Sequence, residues 1–286
     1  MKVLVTGGFG FIGSHLVEKL SKAGNEVWII DNLSAGKKRN IDEKHQPKEF
    51  WNFGINESLP NMHFDVIYHL AARRSVPESF KYPNEFFDIN IKGTWNLLNN
   101  LSYDRFVNIS SSSAEGCLSP YGISKKSAEN LAALFPKAVS LRPFNVFGDK
   151  QPVESGAVIP QFAYSMILLQ RSPTIFGDGE QSRDFTFVED VVDEMIRYGQ
   201  GEYKERNGVW EMGYGTPHKI NEIFSLVAEK LNFKGKPIYA KERDGEVKTT
   251  KAKHIIKDTY GFNKGLEETI EWYKFYYEYY LQCLEG

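Results

Sequence analysis

Lys2-Val3-Leu4-Val5-Thr6-Gly7-Gly8-Phe9-Gly10-Phe11-Ile12-Gly13 is the stretch that decides the fold. The apolar run at 2–5 reads as a buried strand. Gly7, Gly10 and Gly13 follow at once, and His15 to Leu20 then has helical spacing. Strand, glycine turn and helix in that order make the cradle a dinucleotide needs. The first glycine permits the tight turn, the second lets backbone approach a pyrophosphate, and the third lets helix and strand pack closely. Phe11 and Ile12 open the helix, whose N-terminus faces the negative charge.

Outward from that turn, Val27 to Ile30 is the next strand and Asp31 ends it. A carboxylate there accepts hydrogen bonds from a ribose 2′-hydroxyl and repels a 2′-phosphate, which favours NAD over NADP. The plainer alternative is that Asp31 caps the following turn. Apolar runs at 65–70, 105–109 and 138–142 read as further parallel strands, with helical patterns at 90–101 and 121–135 between them. After Gly148 the pattern becomes irregular, with a loop at 149–156. Helices are expected at about 158–171, 188–199, 219–231 and 265–282, mixed with short strands. The fold class that follows is α/β: a Rossmann-like, doubly wound parallel sheet with a smaller C-terminal α/β substrate lobe.

Composition narrows the function. The chain has 286 residues, 41% of them hydrophobic, with a formal charge of −2, so it can bury a large core and gives no reason to expect nucleic acid or a membrane surface as partner. No signal-peptide pattern or long apolar span is read, which points to a cytoplasmic enzyme. The cysteines, Cys117 and Cys283, are too few for a disulfide framework, and the six histidines show no ligand spacing, so no metal is expected.

Chemistry is carried by Tyr121-Gly122-Ile123-Ser124-Lys125, following Ser119-Pro120. Residues four apart share one helix face. A free phenol has a pKa of about 10, and acting as a base near neutrality requires lowering it by about three units. A neighbouring ammonium and a positively charged nicotinamide ring both favour the phenolate. Tyr121 and Lys125 are therefore the expected base and its partner, in place of a plain solvated helix surface. Ser110 to Ser113 follow the apolar run 106–109, at a strand's carboxyl end, where open α/β sheets bind ligands. A hydroxyl there can donate to a substrate oxygen on which charge develops; a polar turn is the plainer reading.

The ordered motifs TGGFGFIGSHL (6–16), DNLS (31–34), HLAA (69–72), SVPES (75–79), NIKGT (90–94), SSSS (110–113), SPYGISK (119–125), LRPFNVFG (141–148), IFGDGEQSRDFTFVEDVV (175–192) and GLEETIEW (265–272) span almost the whole chain. On these the chain resembles the extended short-chain dehydrogenase/reductases, specifically the NAD-dependent epimerase/dehydratase family, and most of all the UDP-hexose and UDP-N-acetylhexosamine 4-epimerases. The resemblance implies an NAD-binding Rossmann domain over 1–152, with segments near 184–200 and 209–213 returning to it, and a substrate-binding lobe over 153–286. It implies a UDP-sugar substrate, tightly held NAD and a homodimer paired through helices 90–101 and 121–135.

The resemblance also assigns roles. Ser111, Tyr121 and Lys125 are the catalytic residues, with Ser112 in place of Ser111 if the register slips by one. Glu115 stands where relatives carry tyrosine, and the loop from Gly116 to Ser119 is shorter than theirs. Gly7, Gly10, Phe11, Ile12, Gly13, Asp31, Asn32, Ser34, Leu70, Ala71, Ala72, Arg74, Asn90, Ser110 and Pro143 join Tyr121 and Lys125 around NAD. Arg74 is placed to reach its phosphates, with Arg73 an ordinary surface residue. Asn90 either supports the active-site helix or caps its own. Asn145, Phe176, Arg183 and Arg243 are matched to the substrate's UDP, the arginines because guanidinium forks suit phosphate; isolated surface ion pairs are the alternative for each. Thr250 falls where relatives vary between bulky and small residues beside the sugar's C2 substituent, and a small residue leaves room for an N-acetyl arm.

Three other functions compete. A nucleotide-sugar 4,6-dehydratase needs an Asp-Glu pair where this chain has Ser112-Ser113. A UDP-glucuronate decarboxylase needs a glutamate in that same place and a cation for the sugar carboxylate, and Arg73 or Arg74 offers the cation. A non-catalytic NAD-sensing regulator has no need of both Tyr121 and Lys125.

Overall fold

The computed structural model describes residues 1–203, 208–242 and 247–285, the last eight of these as backbone alone. In chain order the strands are β1 (Lys2–Thr6), β2 (Glu26–Ile30), β3 (Glu49–Trp51), β4 (His63–His69), β5 (Ser102–Ile109), β6 (Ala138–Pro143), β7 (Val146–Phe147), β8 (Thr174–Phe176), β9 (Ser182–Asp184), β10 (Thr186–Phe187), β11 (Gly208–Met212), β12 (Pro217–Lys219) and β13 (Ile238–Ala240). Two compact units emerge, one of 1–143 and 192–212, the other of 144–191 and 213–286.

The first unit is built on a seven-stranded sheet in the order β11-β6-β5-β4-β1-β2-β3, with every pairing parallel. The chain leaves β1 for β2 on one side and later returns to pair β4 on the other. This reversal is the switch point at which open α/β sheets bind ligands beyond their carboxyl ends. Val3, Leu4 and Val5 are wholly buried because helices cover both sheet faces, which is why β1 reads as an unbroken apolar run. On one face Leu4, Trp28, Phe64, Ile67 and Phe106 pack with Leu97 and Leu98.

The helix Phe11–Lys22 returns the chain to the sheet through buried Leu16, Val17 and Leu20. The expected helix at 90–101 begins earlier and is not uniform. An α-helical turn Pro83–Phe87 runs into a π-helical segment Asp88–Gly93 and then into the helix Thr94–Asn100. The expected helix at 121–135 is Pro120–Ala132, started by Ser119, whose hydroxyl accepts the Gly122 N–H at 3.1 Å.

The second unit holds three two-stranded pairs, β7 with β10, β9 with β12 and β8 with β13, and the helices Val158–Ala163, Ile220–Lys230 and Phe262–Glu285. The buried Asp184 ties its loops together. It accepts N–H bonds from Tyr214 (3.1 Å), Gly215 (2.9 Å) and Ala252 (2.9 Å). Asp190 does the same for Thr259 (3.0 Å) and for the Tyr214 hydroxyl. Asp184 and Asp190 of the RDFTFVED run are therefore backbone organisers.

Candidate active site

The glycine turn of the first unit is shaped by absent side chains. Gly7 has φ +71°, a left-handed conformation natural to glycine, and a Cβ on it would lie 2.9 Å from the Ala71 nitrogen. A Cβ on Gly13 would lie 2.2 Å from the Gly7 carbonyl oxygen. The helix Phe11–Lys22 starts at Gly10 without a side-chain cap and without an acid in its first turn, so its leading N–H groups remain available to an anion. At the end of β2 the Asp31 carboxylate accepts the N–H of Phe9 (3.0 Å) and of Leu33 (2.8 Å). Burial pushes the Asp31 carboxyl above its ordinary value, and those two bonds pull against it. Asn32 accepts the Ser34 N–H at 3.1 Å. The cradle fits a dinucleotide: uncapped helix N–H groups for the pyrophosphate and a buried carboxylate for the ribose.

The reacting end lies beyond β5. Ser113–Gly116 forms one helical turn, and Cys117 closes it in the left-handed region at φ 49°. That turn bridges the short connection to Ser119, and it packs so closely that a Cβ on Gly122 would lie 2.5 Å from the Ser113 carbonyl oxygen. The result sets three successive residues of β5's end against three positions of the helix Pro120–Ala132. The Lys125 ammonium donates to the Ile109 carbonyl at 2.6 Å. The Ser110 hydroxyl donates to Glu129 at 2.7 Å. The Ser111 hydroxyl stands beside the Tyr121 phenol and favours its ionised form. Ser111 therefore faces the phenol, while Ser112 bonds through its N–H to the Pro143 carbonyl at 3.3 Å.

Electrostatics at this end are set by burial. Desolvation raises the half-buried Tyr121 phenol above its ordinary value, while Ser111 and the nearby Arg74 guanidinium pull it down. Desolvation lowers the buried Lys125 to about 8, and the Glu129 carboxylate opposes that. Arg74 thus acts on the phenol. Arg73 is tied to Glu85 at 3.0 Å.

Asn90 lies in the π-helical segment. It accepts the Arg73 N–H (2.7 Å) and donates to the Arg73 carbonyl (2.9 Å) and to the Ser124 hydroxyl (2.9 Å), which in turn donates to the Tyr121 carbonyl (2.8 Å). It thus both fastens the loop after Leu70, Ala71 and Ala72 and supports the helix carrying Tyr121. A π-bulge at such a position is common at functional sites.

Several contributors went unread in the sequence. Glu129 is buried and held by Arg142 through two bonds of 2.6 and 2.7 Å and by Lys126 at 3.2 Å. The i, i+4 spacing of Lys125 and Glu129 was the available signal. His69, Thr94 and Ser124 are polar groups of the core that complete the network around Asn90.

The second unit carries a cleft of about 580 Å³ lined by Asn145, Phe176 and Arg183, with Gln161, Arg171 and Gln181 as further polar groups. Arg183 Nη1 donates to the carbonyls of Ser182 (2.8 Å) and Val247 (2.7 Å), which fixes its guanidinium. Asn145, at φ 32°, donates to the Asp184 carbonyl (3.2 Å) and to the Thr250 hydroxyl (3.1 Å). Four of the expected substrate residues thus gather here. Arg243 lies outside the described residues. His63, Asp65 and Asp104 hold their ligand atoms within 4.8 Å of one another. They are engaged with Ser102 (2.8 Å), the Lys2 N–H (2.8 Å) and Lys137 (3.6 Å).

Comparison with known proteins agrees with this geometry. The family described as NAD dependent epimerase/dehydratase matches residues 3–213. The solved UDP-N-acetylglucosamine 4-epimerase of Methanobrevibacter ruminantium M1, in complex with UDP-N-acetylmuramic acid, is 33% identical, covers 95% of this chain and 97% of its own, and superposes with a TM-score of 0.86. The UDP-glucose 4-epimerase of Thermotoga maritima with UDP-glucose is 29% identical over 96% of this chain and 99% of its own, with a TM-score of 0.85. UDP-glucuronic acid decarboxylase 4 of Arabidopsis thaliana is 29% identical over 81% of this chain, which spans 58% of that protein.

Proposed function

The chain belongs to the NAD dependent epimerase/dehydratase family, and within it we propose a UDP-sugar 4-epimerase that inverts C4 of a UDP-hexose or UDP-N-acetylhexosamine. The observation that carries the reading is Tyr121 beside Ser111 at the sheet's carboxyl edge, with Lys125 one turn on and anchored to the Ile109 carbonyl. NAD, when bound, supplies a hydride acceptor and then a hydride donor at one carbon. Gly7, Gly10, Phe11, Ile12, Gly13 and Asp31 hold it, with Asn32, Ser34, Leu70, Ala71, Ala72, Arg74, Asn90, Ser110 and Pro143 completing its surround.

The protein's own groups divide the work. Tyr121 takes the proton of the C4 hydroxyl and later returns it. Left to the protein alone, burial keeps the phenol protonated, so its ionisation depends on positive charge: Arg74 and, when NAD is bound, the oxidised ring. Ser111 donates to the C4 oxygen as it becomes a carbonyl. The cleft of the second unit holds the uridine diphosphate, Arg183 and Arg243 against phosphate and Phe176 beside the base. Asn145 carries Thr250, whose small side chain leaves room for an N-acetyl group. Rotation of the 4-keto sugar about its diphosphate link then exposes the other face. Tyr121 alone restores the proton, and the catalytic groups need no second acid. Ser112 and Ser113 stand where elimination would require an Asp-Glu pair.

A second reading, decarboxylation of a UDP-uronate, is favoured by the Arg74 charge at Tyr121 and by the likeness to a UDP-glucuronic acid decarboxylase. UDP-glucose, UDP-galactose, their N-acetylhexosamine counterparts and UDP-glucuronate should be incubated with the enzyme and products identified by NMR. C4 inversion of a hexose or N-acetylhexosamine is expected. A UDP-pentose, or a 4-keto-6-deoxy sugar, would overturn the reading. The same reading carries a cytoplasmic homodimer. Among the described residues no helix is long and apolar enough to cross a membrane. Trp95 and Ile123 stand exposed on the helices Thr94–Asn100 and Pro120–Ala132, where a second copy would cover them.

A further inference from the structure

The end of β5 is fastened to the Tyr121 helix by three contacts in succession, and the middle one has no place in the reaction just described. Ile109 is held by Lys125 and Ser111 meets Tyr121; between them Ser110 is held by Glu129. Glu129 is 1% exposed, and a buried carboxylate costs several kcal/mol unless it is fully paired. Its pairing is complete: both oxygens meet Arg142 in a fork, one also receives Ser110 and the other Lys126. A hydrophobic residue would fill the space at lower cost, so the charge itself invites an account. Glu129 follows Lys125 by one helical turn, on the same face.

We propose that Glu129 is a positioning residue for the proposed epimerisation: clamped by Arg142, it pins Ser110 so that Ser111 stays against Tyr121, and it supplies the negative charge beside which the Lys125 ammonium is kept. The inference rests on the epimerase reading for its catalytic consequence. Lys125 is buried, and removing an ammonium from water favours its neutral form. His69 on β4 also faces Lys125, but it is held neutral, its pKa pushed down to about 3 by burial first and by Lys125 second. Tyr121 is kept protonated by burial, and Arg142 on β6 is turned to Glu129. Among the described groups whose charge raises the Lys125 pKa, Glu129 is the carboxylate. Burial works against Glu129, but the hydrogen bonds of Arg142, Ser110 and Lys126 outweigh it, so the carboxylate stays ionised at neutral pH.

The sign follows directly. Lys125 acts as an ammonium, so turnover falls as pH rises through its pKa. Glu129→Gln keeps an acceptor for Ser110 but removes the charge, so the Lys125 pKa drops and the alkaline limb of kcat moves to lower pH, by about one unit. The pH at which the holoenzyme releases NAD during gel filtration moves in the same direction, because the proposed function sets Lys125 among the residues around NAD. Because the single Glu129→Gln change leaves the Arg142 guanidinium without its charged partner, Glu129→Gln combined with Arg142→Met is the paired variant that restores neutrality if the single one fails to fold. Lys126→Met, which removes a half-buried ammonium but leaves the Glu129 charge held by Arg142 and Ser110, is expected to keep both limbs in place. A Glu129→Gln or double variant that folds, as judged by circular dichroism, with both limbs unmoved overturns the proposal. A wild-type enzyme that inverts no UDP-sugar overturns the function instead, and the NAD-release limb still decides the role of Glu129.

Discussion

His69 shows how much a single residue can settle. The Thr94 hydroxyl donates to the Asn90 carbonyl at 2.7 Å, so it must accept from His69 Nε2, 2.9 Å away. His69 Nδ1 then accepts from Thr6 at 2.8 Å, and Thr6 accepts the Ala71 N–H at 3.2 Å. Every donor in the chain has one acceptor only if the imidazole is neutral and protonated on Nε2. The first residue of HLAA therefore joins the glycine-turn strand to the helix carrying Asn90. Its folded pKa of about 3 lies below the ordinary 6.5. The unfolded chain thus binds the extra proton first, and this stabilisation is complete above pH 6.5 and is lost as pH falls towards 3. Equilibrium unfolding followed across that range should show the decline in wild type. His69→Leu should flatten it and cost about 1–3 kcal/mol by leaving the Thr6 hydroxyl without its acceptor. Ser111→Ala should lower kcat by roughly 10²–10³ in the NMR-monitored epimerase assay, the loss typical of one oxyanion donor.

At the scale of elements, the parallel strands and the glycine turn were legible because their signals are local. Val3 to Val5 are buried on both faces, and Gly7 and Gly13 admit no Cβ. The Tyr121 helix was legible for the same reason, down to Ser119 before Pro120 at its start. The π-helical segment Asp88–Gly93 was not. Nothing in Asp88-Ile89-Asn90 breaks a helical pattern, and the bulge is imposed by what Asn90 must reach, Arg73 on one side and Ser124 on the other. The resemblance favoured Ser111 over Ser112, and the turn Ser113–Gly116, which no sequence signal marked, sets Ser111 beside Tyr121. Asn90→Ala should therefore lower kcat and reduce stability by about 1–3 kcal/mol, the cost of stranding buried polar partners. Chemical denaturation and steady-state kinetics read the two effects. Gly13→Ala should release NAD, because its new Cβ cannot coexist with the Gly7 carbonyl, and NAD content per subunit measures this directly.

For the whole molecule, sequence distance hid most of the second unit. Asp184 meets Ala252 across 68 positions, and Asn145 meets Thr250 across 105, with no periodic signal to mark either pair. Asp184 and Asp190 of the RDFTFVED run are occupied with backbone N–H groups far along the chain. Thr250 is tied to the substrate only through the resemblance, and its bond to Asn145 sets it beside a residue of the cleft wall. The exposed Trp95 lies on a helix of the proposed dimer face. Trp95→Glu should convert a dimer to monomers in sedimentation velocity, and an unchanged sedimentation coefficient would remove that helix from the interface.

The most direct test runs the reaction in D₂O. A C4 hydrogen that leaves as hydride and comes back to the same carbon never meets solvent, whereas the proton handled by Tyr121 exchanges freely. Proton NMR of the inverted UDP-sugar should show full protium at C4 at every stage of the approach to equilibrium. Deuterium accumulating at C4 at the rate of inversion would contradict the account.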